Sequence, residues 1–131
     1  MIALKLKSPL NFSVVLNLAF LIGHQIDAAY WHEWDMFGLP GGIQLYNLLN
    51  VILFTILIGC LIPIIERRQI GRYCSIAIAL CSGIVLPIHS WFAIAGFKQF
   101  NLPVSILFIL TTFITSIIQI TLTLKHWHDF V

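Results

Sequence analysis

The sequence is poor in charge. Of its 131 residues only 9% are Asp, Glu, Lys or Arg, against 60% hydrophobic, and the mean hydropathy is +0.98. Soluble domains carry about 25% charged residues, so this balance excludes an ordinary water-soluble fold. The net charge of +2 is small and its Lys and Arg residues are scattered, which excludes nucleic acid as a partner. Cysteine is scarce too. Cys60, Cys74 and Cys81 fall inside apolar stretches with no CxxC pairing, which points to packing rather than a disulfide framework or a zinc ribbon. There is no phosphate-binding glycine loop, no nucleophile motif and no zinc signature. Histidines and carboxylates are too few on any one face for a membrane di-iron enzyme.

What the chain has instead is long apolar runs. A membrane-spanning helix needs about 20 mostly apolar residues, and four stretches meet that need, roughly 11–34, 43–65, 71–96 and 102–125. They fill the chain, so residues 1–131 read as a single integral membrane domain of all-α class. Lys5 and Lys7 ahead of the first run suggest a signal peptide, but Asp27-Ala28-Ala29 would put a charge at the cleavage site. The run therefore reads as a retained signal anchor.

Polar residues recur at seven-residue spacing within these runs: Asn17, His24 and Trp31 in the first, Ser75, Ser82, His89 and Gly96 in the third. Ser105, Thr112, Thr115, Gln119 and Thr123 stripe the fourth. This period predicts a left-handed four-helix bundle with the stripes turned inward. Pro63 and Pro87 sit late in the second and third runs, and Pro87 denies the Gly83 carbonyl its usual amide partner. Trp31, Trp34 and Phe37 suit an interfacial aromatic belt.

The chemistry concentrates around Gly23–Asp35, which holds three of the five acidic residues and two of the five histidines. Ionisable groups entering an apolar segment are costly and ordinarily face a partner or a cavity. His24 and Asp27 lie on adjacent turns, where the carboxylate can orient the imidazole or join it on a metal. A structural pair that locks the bundle is the alternative. Asp35 suits a solvated turn, and Glu33 either sits at the interface or folds back over the site. Gln44, Asn47 and Asn50 open the second run as binding donors or interhelical glue. His126 and His128 read as a membrane-surface tail.

Basic residues set orientation. Lys5, Lys7, Arg67, Arg68, Arg72 and Lys125 fall on one side, against Lys98 with Glu33 and Asp35 on the other. Both termini are therefore expected in the cytoplasm, with the protein in a bacterial inner (plasma) membrane. That orientation sets His24, Asn50 and His89 each about 10–15 Å below the outer surface, at 1.5 Å per helical residue.

The element His24-Gln25-Ile26-Asp27, followed by His32-Glu33-Trp34, resembles the HXXEE-type group of small four-helix bacterial membrane proteins. Asp27 stands where that motif has its first Glu, and Ala28 where it has its second. The resemblance implies the location of a site and its residues, and no activity. The residue types alone are also similar to those of sterol-isomerase-type membrane proteins, which use intramembrane His and carboxylate groups.

The expectation is a pocket on His24, Asp27 and His89 as catalytic or metal-ligating residues, with Asn47 and Asn50 as donors and Glu33 at the mouth. It would hold a divalent metal or perform proton transfer on a lipid-like molecule. Two alternatives stand beside it: a haem b carrier with His24 and His89 as axial ligands, and an accessory subunit whose polar stripes meet a membrane protein partner. The expected partners are membrane lipids, with a partner protein or a homodimer as further options.

Overall fold

A computed structural model describes residues 8–131, and these are all-α. Helix α1 (Pro9–Tyr30) starts on a proline, whose missing amide is harmless in a first turn. A short helix α2 (Glu33–Met36) follows. Helices α3 (Gly42–Gly59) and α4 (Leu61–Ile65) form one rod interrupted at Cys60. Helices α5 (Gln69–Gly83) and α6 (Val85–Ile94) form another, interrupted at Ile84. Helix α7 (Pro103–Lys125) closes the bundle, ahead of a 3₁₀ turn at Trp127–Asp129. Four helical rods, Pro9–Tyr30, Gly42–Ile65, Gln69–Ile94 and Pro103–Lys125, are long and apolar enough to cross a membrane. Both interruptions lie just before a proline, Pro63 or Pro87, whose ring removes an amide from the ladder. The lysines Lys5 and Lys7 used in the orientation argument lie outside the described residues.

The bundle has an apolar outer surface, unlike a soluble protein, and a core that mixes apolar with polar side chains. Large apolar side chains face outward, among them Val51, Ile56, Leu80 and Ile114. Its centre holds fully buried Asn17, Ser75, Thr112, Gln119 and Thr123. Lipid tails are as apolar as Leu, so helices are joined here by close packing and hydrogen bonds. Asn17 Nδ2 donates to Gln119 Oε1 at 2.7 Å, and Thr115 Oγ1 donates to Asn17 Oδ1 at 2.8 Å. Gln119 Nε2 donates to the Ser75 carbonyl at 2.7 Å, and the Ser75 and Thr123 hydroxyls meet at 2.7 Å. Ser116 Oγ reaches the Ala79 carbonyl at 2.6 Å. This network ties α1, α5 and α7 together. Gly71 lets α5 pass against the Pro63–Ile64 backbone so closely that a Cβ there would collide with it.

The inward stripes of the first, third and fourth runs are present, except that Gly96 is exposed at φ +94°, beyond the end of α6. Trp31 and Trp34 differ from the expected belt. The Trp31 indole donates to Ser105 Oγ at 3.1 Å, and Trp34 is buried with its ring 5.3 Å from Tyr46. Phe37 is exposed. The first helix also stops short of its expected end at residue 34, because His32 turns left-handed at φ 55°.

The C-terminal tail folds back onto the α4–α5 turn. Val131 N donates to the Arg67 carbonyl at 2.9 Å, and the Arg67 guanidinium lies 5.1 Å over the buried Phe130 ring. Arg72 stacks 4.7 Å over Trp127. His126 pairs with Asp129 at 2.8 Å. Partial burial lowers the pKa of Arg67, with Asp129 opposing the shift. None of the three cysteines forms a disulfide.

Candidate metal centre

Three ionisable side chains converge near one end of the bundle. His24 comes from the penultimate turn of α1, His89 from the middle of α6, and Glu33 from the first residue of α2. All three are buried. His24 Nε2 and His89 Nε2 are 3.3 Å apart, His89 Nε2 is 3.1 Å from Glu33 Oε1, and His24 Nε2 is 3.9 Å from the same oxygen.

Two backbone features put them there. His32 adopts the left-handed region at φ 55°, where histidine is tolerated better than most side chains. The helix breaks there, and Glu33, the first residue of α2, comes within 3.1 Å of His89 and 3.9 Å of His24. Phe100 also sits at φ 62°, an uncommon conformation for a bulky residue. Its buried ring packs against both imidazoles, 4.1 Å from the His89 ring and 5.6 Å from the His24 ring. Strained backbone is concentrated at functional sites, and two of the three non-glycine residues with positive φ among those described seat this triad.

The triangle could hold a small divalent ion. With metal–donor distances of about 2.0–2.2 Å, tetrahedral donors stand roughly 3.3–3.6 Å apart. The observed separations of 3.1, 3.3 and 3.9 Å bracket that range. Protons satisfy the same arrangement poorly. One proton bridges one pair, whereas here three possible ligand atoms lie within 3.9 Å of one another. Two imidazoles and one carboxylate also form a known three-ligand set of catalytic zinc, which keeps its fourth position open.

Haem b does not fit. The two imidazole centroids are 4.9 Å apart at an interplanar angle of 79°, with Glu33 and the Phe100 ring against them. That leaves no slab of space for a macrocycle between the histidines.

The expected residues divide. His24 and His89 are brought together, and Glu33 joins them from the first residue of α2. Asp27 is not within the triad. Its Oδ2 is buried without a hydrogen-bond partner, and so is His24 Nδ1 one turn earlier on the same helix. Asn50 shares a cavity of about 270 Å³ with Glu33, Gln25 and Tyr46. The Tyr46 hydroxyl donates to the Gln25 carbonyl at 3.1 Å and also contacts the Gln25 side-chain oxygen. Asn47 and Gln44 are exposed and do not line that cavity. On the other side of the triad, His89 lines a second cavity of about 430 Å³. Phe100 carries no signal in the sequence, since it is one aromatic among many in an apolar chain.

No curated protein and no solved structure matches this chain. A family model does match, over residues 10–126, which takes in all four apolar rods except the first residue of α1, and every residue of the triad. The chain belongs to DUF6713, a family of unknown function.

Proposed function

We propose that this protein is a membrane metalloprotein in which His24 Nε2, His89 Nε2 and Glu33 Oε1 hold one divalent ion of the zinc type. The observation that carries the reading is the buried triangle of donors at 3.1, 3.3 and 3.9 Å. A buried carboxylate beside two imidazoles in an apolar bundle is costly unless it is paired or coordinated, and a cation resolves that cost. Held by His24, Glu33 and His89, such an ion would supply Lewis-acid chemistry at the site.

The remaining residues take supporting roles. Asp27 is a positioning residue: a rotation of its side chain lets the unpartnered Oδ2 accept the His24 Nδ1 proton, which fixes the tautomer that presents Nε2 to the metal. Tyr46 and Asn50 supply polar groups on the Glu33 side. The reaction class is acid–base chemistry on a lipid-like molecule. The charge pattern supports an orientation with both termini cytoplasmic and the triad toward the outer face. Arg67, Arg68, Arg72 and Lys125 lie at the end away from the triad, and Lys98 lies beside it. A left-handed bundle in a bacterial inner membrane completes the reading.

Elemental analysis of protein purified in mild detergent tests it. Wild type is expected to carry about one equivalent of zinc or a similar metal, and the His24→Ala, His89→Ala double variant none. Equal metal content in the two would refute the proposal.

A further inference from the structure

We propose that the 430 Å³ cavity beside the triad binds a single-chain amphiphile with an anionic head group. The inference rests on the metal reading for the chemistry performed, but stands on separate residues. The cavity walls are apolar and come from α6 and α7, with Leu86, Phe92, Ile106, Ile109 and Leu110 prominent. Ile106 and Leu110 are also exposed on the outer face of α7, so the cavity borders the surface that meets hydrocarbon. Its volume lies near the lower end of the roughly 300–1,000 Å³ range of ligand sites, which suits one chain.

Besides His89 and Ser90 of α6, its polar lining residues come from the loop between α6 and α7. Lys98, Gln99 and Asn101 are exposed loop residues there. Lys98 and Gln99 also line two adjoining surface depressions, so they stand at a common entrance. Lys98 forms no salt bridge among the described residues. The other described cations, Arg67, Arg68, Arg72 and Lys125, lie in or beside the α4–α5 turn and the C-terminal end of α7. An unpaired cation at the border of an apolar cavity selects an anionic head group and leaves the chain to the cavity. His89 forms part of the wall, so atoms near the head group lie against the metal-binding edge. The ligand thus enters sideways from the membrane, with its head at the surface and its reactive segment beside His89.

The test uses the full chain in phosphatidylcholine nanodiscs, with radiolabelled palmitate, hexadecyl phosphate and hexadecan-1-ol as probes. Saturable binding near one per protein is expected for at least one of the two anions, and the tighter of them identifies the head group. Lys98→Glu should weaken anion binding at least tenfold and leave the alcohol unchanged. Ala93→Trp, at an exposed position on the cavity edge, should block all three. Absence of saturable anion binding, or binding indifferent to both substitutions, overturns the inference. Zinc content is measured on the same samples. Zinc retained without amphiphile binding refutes this inference alone, whereas amphiphile bound without zinc refutes the metal reading alone.

Discussion

Replacing Glu33 with Gln keeps the shape of the buried side chain and removes its charge. Glu33 Oε1 is the one carboxylate oxygen of the triad, 3.1 Å from His89 Nε2 and 3.9 Å from His24 Nε2. Loss of partners that merely support a ligand costs about 10–100-fold in metal affinity, so loss of a charged ligand itself should reach at least the upper part of that range. A hundredfold corresponds to about 2.7 kcal/mol. The consequence for stability follows by mass action. Wild type at a free zinc concentration of 100 Kd gains about 2.7 kcal/mol, and a variant bound a hundredfold more weakly gains about 0.4 kcal/mol under the same conditions. Competition with a chromophoric chelator measures the affinity, and denaturation in graded SDS with and without zinc measures the stabilisation. If Glu33→Gln binds zinc as tightly as wild type while His24→Ala does not, Glu33 is no ligand and the three-donor argument fails.

Other substitutions separate the scaffold from the site. Gln119→Leu removes the hydrogen bonds to Asn17 and Ser75, at about 0.6 kcal/mol each, and orphans Asn17 Nδ2 at about 1–3 kcal/mol; a loss of roughly 2–4 kcal/mol in SDS unfolding is expected, and a change below 0.5 kcal/mol would contradict the network's role. Phe100→Gly relieves the φ 62° backbone and removes the ring packed against both imidazoles; zinc should exchange at least tenfold faster in stopped-flow chelation with stoichiometry preserved, and an unchanged rate would show that the ring does not cover the site. Asp27→Asn should weaken zinc binding about tenfold without abolishing it, and equal affinity would remove Asp27 from its positioning role.

Much of the fold is legible in the sequence because hydropathy and proline act locally. The four spans agree with their expected limits to within two residues at most ends, and both proline positions interrupt helices. The depth match between His24 and His89 also follows from helix lengths alone. The partner of these histidines was less legible. Asp27 is favoured by i, i+3 proximity, which is all that a helical repeat can express. Glu33 instead arrives through a helix break at His32, and a single left-handed residue leaves no periodic trace. Phe100 is similar, since its place depends on the path of the loop between Ala95 and Leu102 rather than on composition. The tail contacts of Phe130 and Val131 with Arg67 join the C-terminal residues to a mid-chain turn, a pairing that no spacing rule predicts.

The central claim is that His24, Glu33 and His89 share one metal ion. Zinc-edge X-ray absorption on protein loaded with one equivalent tests it most directly, because it counts the donors and measures their distances. The account predicts two imidazole nitrogens and light oxygen donors at about 2.0–2.2 Å, with the imidazole signature lost in the His24→Ala, His89→Ala double variant. A shell containing sulfur, or one identical in the double variant, would contradict it.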